Sequence, residues 1–378
     1  MNGSLAGAWK IGSVMGIPIR LHFTWFLVFG LITWSLSTVY FPQAAPDLPA
    51  LAYWIKGALA SLLLFASVAF HELAHSFVAR RYGIPIESIT LFIFGGVAQM
   101  KSEPPHPRAE FWIAVAGPLS SFLLAALFLF GTLQAEGGVR ALFSYLARIN
   151  FILAAFNLIP GFPMDGGRVL RSFLWKRKKN YFYATQKASG VGQKIALFFI
   201  FLGIFSLFTG MPGGIWLMLI GWFLYTAAKA SYQQAGIQEI LDGIKVRHIM
   251  ARDLVTVPPS IRLDEAVSGY FLRYGYGGYP VVENGKYLGM LTLKELKDVP
   301  RESTRVSAVY VPHRAEWEVS PEEDAVKALE RMIRGDVGRL VVTSGGRIEG
   351  MITRSGIARY VQLMGRSGDL QTLEGQAG

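Results

Sequence analysis

Long apolar runs fill the first 230 or so positions, and beyond about residue 240 they give way to short alternating stretches broken by charged and turn residues. A helix that crosses a bilayer needs about 20 mostly apolar residues. Six runs approach that length, at roughly 22–40, 52–79, 111–133, 141–160, 193–209 and 213–230. An even number of crossings returns both chain ends to one side. The connections near 41–51 and 210–212 lack Lys and Arg and the one near 134–140 has only Arg140, whereas 80–110 carries Arg80, Arg81, Lys101 and Arg108, and 168–194 carries eight basic residues. Basic loops stay inside, so both termini are expected in the cytoplasm. A further apolar stretch, Ile86 to Met100, is short, contains Gly95-Gly96 and alternates weakly. It reads as an extended, partly re-entrant hairpin that needs protein or water around it.

The polar C-terminal part contains an internal repeat, with a period of about sixty residues. Asp264-Glu265-Ala266-Val267 matches Glu323-Asp324-Ala325-Val326, Pro280-Val281-Val282 matches Leu340-Val341-Val342, and Gly289-Met290-Leu291-Thr292 matches Gly350-Met351-Ile352-Thr353. Each copy reads as strand, helix, strand, tight turn (Asn284-Gly285; Ser344-Gly345-Gly346), strand and short helix. Over about 246–365 this resembles a tandem pair of cystathionine-β-synthase (CBS) domains. The resemblance implies dimerisation and an adenine nucleotide held through Thr292, Glu295 and Thr353. Where many nucleotide-binding examples carry an Asp for the ribose, this chain has Glu295 in the first copy and Gly356 in the second. Glu can bond ribose hydroxyls and Gly cannot, so a dimerising pair without ligand is the alternative. Gly275-Tyr276-Gly277-Gly278 reads as a loop before a strand. The tail after Gly365 is rich in Gly and Gln, without apolar periodicity, and is expected to be disordered.

Composition sharpens this picture in three ways. At 52% hydrophobic residues the chain exceeds an ordinary soluble domain. The formal charge of +11 clusters beside apolar segments, as in Lys176-Arg177-Lys178-Lys179, which favours anionic lipid headgroups over nucleic acid. With no cysteine, any metal site must be built from His and carboxylates. The N-terminus has no short apolar stretch followed by a small-residue cleavage site, so no cleaved signal peptide is expected.

His71-Glu72-Leu73-Ala74-His75 continues an apolar run. On a helix this HExxH spacing sets two imidazoles one turn apart on one face, where they can share one zinc ion, and it places Glu72 beside the metal as a general base for the attacking water. Ionisable groups are costly in such a run, which lowers the weight of a chance pattern. A catalytic zinc takes a third protein ligand. The candidate is Asp165, which follows a helix broken by Pro160, Gly161 and Pro163. The runs entering His71 and Asp165 both start on the outer side, and roughly twenty residues at about 1.5 Å each bring both motifs to similar depth. An interfacial turn with an acidic cap remains the other reading of Asp165. His106, between prolines, reads as a loop residue, and His22 and Arg148 as interfacial or satisfied within the helix bundle.

HExxH late in the second run, Asn157-Leu158-Ile159-Pro160 with Asp165-Gly166-Gly167 after the fourth, and the flanking Ile17-Pro18-Ile19-Arg20, Phe94-Gly95-Gly96 and Gly117-Pro118-Leu119-Ser120 resemble the site-2 protease family. The resemblance implies one zinc per chain on His71, His75 and Asp165, with Glu72 as base. It also places Asn157 near the site as a stabiliser of substrate or transition state; a helix–helix hydrogen bond is the alternative for that residue. Implied substrates are transmembrane helices of other proteins, which must unwind locally to be cut, and the Ile86–Met100 hairpin is a candidate to pair with the unwound strand. The expected architecture is a multi-pass α-helical membrane domain with six transmembrane helices (1–235), a linker (236–245), a soluble α+β tandem CBS pair (246–300 and 301–365) and a tail (366–378). The family implies a plasma-membrane protein, prokaryotic, with both termini cytoplasmic and dimeric through the CBS pair. Two other classes compete: a CBS-regulated ion transporter or channel, and a non-catalytic zinc-binding membrane scaffold. No internal repeat among the apolar runs supports the transporter, and a purely structural zinc site has no need of Glu72.

Overall fold

The structure, a computed structural model, describes residues 7–365 except Phe94, Asp298 and Gly346, so the expected disorder of 366–378 lies outside the described residues. Two compact units divide the chain between Ala235 and Gly236.

The first unit begins with β1 (Ala8–Val14) and β2 (Ile17–His22), an antiparallel hairpin. Its two turn residues, Met15 and Gly16, have φ of 53° and 77°, the left-handed pair that a two-residue hairpin turn demands. The chain continues through α1 (Phe23–Ser35), a π-helical turn at 36–40, α2 (Phe41–Ala44) and the long α3 (Ala50–Arg81). Next come β3 (Ile86–Phe92) and β4 (Gly95–Met100), antiparallel to each other as the alternating pattern predicts. β3 also pairs in parallel with β2, closing a four-stranded sheet in the order β1-β2-β3-β4. The helices α4 (Pro107–Gln134), α5 (Gly137–Asn157), α6 (Asp165–Lys178), α7 (Tyr181–Phe208) and α8 (Gly214–Leu241) complete the series, the residues of α8 from Gly236 on belonging to the second unit.

Two histidines start helices. His22 Nδ1 accepts the Thr24 N–H at α1, and His106 Nδ1 accepts the Ala109 N–H at α4 with Pro107 in the first turn, so both relieve unpaired amides. Five segments are long and apolar enough to cross a membrane by length and composition: Phe23–Ala44, Ala50–Arg81, Pro107–Gln134, Gly137–Asn157 and Tyr181–Phe208. The sixth apolar run falls on α8, 28 residues long. Leu119, Leu123, Leu127 and Phe130 of α4 face outward, an apolar exterior that suits lipid better than water. The basic stretch after 168 is more ordered than a connecting loop: α6 occupies 165–178 and α7 starts at Tyr181, capped by the Asn180 side chain.

In the second unit the repeat is visible as two hairpins, β5 (Gly278–Glu283) with β6 (Lys286–Thr292) and β9 (Arg339–Ser344) with β10 (Arg347–Thr353). β6 and β10 meet antiparallel at Lys286 and Arg347. With β7 (Val311–Pro312) on β6 and β8 (Glu318–Val319) parallel to β9, the sheet has six strands. The Asn284-Gly285 turn has φ of 50° and 79°. The helices are α9 (Leu263–Ala266), continued by a π turn into α10 (Leu272–Tyr274), and in the second copy α11 (Ala325–Arg334) and α12 (Arg354–Met364). Matching residues fill matching core positions, Ala266 with Ala325 and Leu291 with Ile352, all buried. Ile237, Ile240, Leu241 and Ile244 pack into the core of the second copy. The two copies differ after the last strand. The second has α12 as expected, while 293–297 of the first forms successive tight turns, with Glu295 folded back on Thr292 and Pro300 close behind.

Candidate metal centre

The buried face of α3 runs through Gly57, Ala60, Ser61, Phe65, Val68, His71, His75 and Ala79, a three-and-four spacing that keeps one stripe turned inward. The two histidines are thus part of the packing stripe and meet α4, whose own buried face presents Ile113, Gly117 and Ser121. Small residues there admit the imidazoles: a Cβ on Gly117 would collide with His75 Nε2 and lie 2.6 Å from His71 Nε2.

The third group arrives from α6. Its first residue is Asp165, at a helix N-terminus where a carboxylate is favoured. Helix α5 stops at Asn157, and the chain folds back irregularly over 158–164 before α6 begins, as Pro160 and Pro163 predict. Gly166 and Gly167 permit the tight reversal, since a Cβ on either would strike the backbone of Leu158 or Gly161.

Asp165 Oδ2 lies 3.2 Å from His71 Nε2 and 3.1 Å from His75 Nε2, and the two Nε2 atoms are 3.1 Å apart. One ligand atom from each of the three residues falls within 4.8 Å of the others, and both histidines are buried. The outer ring nitrogens are anchored separately, His75 Nδ1 against the Ile113 carbonyl at 2.6 Å and His71 Nδ1 against Ser121 Oγ at 2.9 Å. A carbonyl only accepts, so His75 carries a proton on Nδ1, which leaves Nε2 as the nitrogen that can serve a metal. This is the tautomer that metal ligation requires. Two imidazole nitrogens converging with a carboxylate oxygen, and with no thiolate, make a donor set suited to zinc.

Glu72, next to His71, turns toward the sheet, where its Oε2 accepts the Ala98 N–H of β4 at 3.2 Å. Asn157 is half-buried, and its Nδ2 donates to the Leu153 carbonyl one turn back on its own helix, at 3.0 Å. Thr292, Glu295 and Thr353 belong to the second unit, Thr292 and Thr353 ending β6 and β10 and Glu295 in the turns after β6. There Glu295 Oε2 accepts from the Thr292 N–H at 2.9 Å and from its hydroxyl, and Thr353 Oγ1 accepts the Gly356 N–H and caps α12.

Residues 59–137 and 131–203 match peptidase family M50, and residues 246–302 and 311–363 each match the CBS domain. A Mycobacterium tuberculosis protein named "Putative zinc metalloprotease Rip3" is 36% identical over 93% of this chain and 92% of its own length. The chain belongs to peptidase family M50, the site-2 proteases. A second family member, zinc metalloprotease MJ0392 of Methanocaldococcus jannaschii, is 34% identical over 94% of this chain and 96% of its own. Among solved structures, the site-2 protease from Methanocaldococcus jannaschii is 35% identical, covering 60% of this chain and 95% of that one with a TM-score of 0.43. Membership makes this a membrane metalloprotease of a zinc-dependent family, with a CBS pair attached.

The partners of the family motifs carry no local signal in the sequence. Ser121 and the Ile113 carbonyl lie 50 and 38 residues from the histidines they orient. The same holds for Glu110 and Arg171, paired and buried between α4 and α6. Their one legible sign is a carboxylate at the head of an apolar run.

Proposed function

We propose that this protein is an intramembrane zinc endopeptidase that hydrolyses peptide bonds in or near transmembrane helices of other membrane proteins, as in regulated intramembrane proteolysis. The carrying observation is the convergence of His71, His75 and Asp165 within 4.8 Å beside Glu72. His71, His75 and Asp165 hold the metal, with Ser121 and the Ile113 carbonyl fixing the imidazole planes. Zinc, when bound there, supplies a Lewis acid that lowers the pKa of water and polarises a carbonyl. Glu72 takes the proton of the attacking water and passes it to the departing amine nitrogen. Asn157 turns its amide from Leu153 to the carbonyl oxygen as charge develops on it.

β4 ends the sheet order, and Ala98 spends its N–H on Glu72. An unwound substrate strand added to that edge runs beside the base, which favours strand addition as the way a helix is presented for cleavage. The membrane domain spans 1–235 and crosses the plasma membrane six times, α8 being the sixth span, with both termini in the cytoplasm. After a linker at 236–245, CBS domains at 246–300 and 301–365 modulate cleavage and dimerise the chain. They bind an adenine nucleotide through Thr292, Glu295 and Thr353, of which Thr292 and Thr353 occupy corresponding strand ends in the two copies.

The test is cleavage of a panel of single-span membrane proteins in liposomes by the full chain and by Glu72→Gln, with zinc determined on both. The expected result is zinc in both proteins and cleavage by the unaltered chain alone, with a loss of at least about a hundredfold in the variant. Absence of zinc from both overturns the metal site, and cleavage by Glu72→Gln at an unchanged rate overturns the role of the base.

A further inference from the structure

Arg148 is out of place on the outer face of α5. It stands eleven residues after Gly137 and nine before Asn157, which puts roughly 16 Å and 14 Å of helix between it and the two ends. Its side chain is exposed, and among the described residues none lies within hydrogen-bond or ion-pair distance of it. It is not satisfied within the bundle, one of the two placements expected from the sequence. An arginine at mid-depth of an apolar span is costly and marks a contact that compensates it.

The guanidinium borders a groove of about 500 Å³ between α4 and α5. Ala125, Ala126, Ser144 and Ala147 are small enough to let a third helix backbone come close, and Phe122 and Phe151, 5.7 Å apart, form an apolar wall. Charge decides what fits. The carboxylates of the apolar helices are already engaged, Glu72 with Ala98, Glu110 with Arg171 and Asp165 with the histidines. A second copy docking by the same face would set Arg148 against Arg148 in a medium that does not screen them. A lipid phosphate stays at the headgroup level, far from mid-helix.

We propose that the groove between α4 and α5 docks a transmembrane helix of another protein that carries an Asp or Glu at mid-bilayer depth, where Arg148 receives the carboxylate. The inference rests on α4 and α5 crossing a bilayer, and it is independent of whether the metal centre cleaves.

The chain has no cysteine, so one introduced by Leu129→Cys at the rim of the groove takes a single fluorophore. The full-length labelled protein is placed in phosphatidylcholine vesicles with Lys-flanked poly-Leu-Ala transmembrane peptides carrying an acceptor dye and a central Glu, Gln or Lys. Energy transfer is the readout, and flotation of the vesicles with bound protein shows separately that the chain is inserted. Expected is a preference of about tenfold for Glu over Gln and Lys, the scale of one strong interhelical polar contact. Arg148→Leu abolishes that preference, and Arg148→Glu transfers it to the Lys peptide. Equal transfer for the three peptides, or a Glu preference that survives Arg148→Leu, overturns the proposal. So does energy transfer between two protein copies that displaces the peptide, or a Glu preference erased by phosphatidylglycerol, which would make the occupant a second copy or a lipid. Zinc content and cleavage, read on the same preparations, report the protease reading separately.

Discussion

Gly117 carries no side chain, and the two imidazoles occupy the space a methyl group would need, 2.6 Å from His71 Nε2 and in collision with His75 Nε2. Alanine is the better helix former by about 1 kcal/mol, so Gly117→Ala leaves α4 no less stable as a helix while pushing the histidines apart. The expected outcome is a loss of zinc affinity of at least about tenfold, the scale seen when groups that orient metal ligands are disturbed. Competition against a chelator measures it, with thermal unfolding as the control for the fold. At this scale the histidines and glutamate of HExxH were legible because their relation is local, fixed by one turn of helix. Ser121, Ile113 and Gly117 had no such signal, since they reach the site only through the packing of α4 on α3.

At the scale of elements, α6 connects the site to the bundle. Asp165 opens it, and two turns later Arg171 is buried against Glu110 of α4, with its guanidinium 4.8 Å from the Phe162 ring and 4.6 Å from Tyr181. Glu110 Oε2 has no hydrogen-bond partner, so the arginine is what compensates that carboxylate. Arg171→Leu is expected to destabilise the protein by about 3–5 kcal/mol, because a buried carboxylate is left alone. Glu110→Leu with Arg171→Leu should recover much of that loss. Denaturant unfolding of the detergent-solubilised chain, analysed as a double-mutant cycle, reads both. The sequence revealed the long apolar helices, whose signal accumulates over twenty residues, and the Ile86–Met100 hairpin. It did not reveal α6, a charged amphipathic helix hidden in a basic stretch, or the sheet that β2 forms with β3, a parallel partner about seventy residues away.

For the whole molecule the testable property is coupling between ligand and stability in the second unit. If the CBS pair takes an adenine nucleotide, ATP or AMP at a hundredfold excess over its Kd should stabilise that unit by about 2.7 kcal/mol. Thr353→Ala removes the cap of α12, at a cost of about 1 kcal/mol, so the shift produced by nucleotide must be compared with that in Glu295→Ala. Both variants should show a reduced nucleotide-induced shift, followed by scanning calorimetry of the full chain. An unchanged shift in both would remove these residues from any nucleotide site.

The sequence by itself determined the apolar helices, the twofold repeat, the tight turns at Asn284-Gly285 and the HExxH face, because each is a property of neighbouring residues or of a period along the chain. Tertiary structure alone decided which residues from distant segments meet. It brought Asp165 to the histidines, turned Glu72 to the edge of β4, buried Arg171 on Glu110 and left Arg148 without a partner. These outcomes depend on how helices pack, and packing sums many weak contacts between segments far apart in the chain, none of which leaves a local pattern to read.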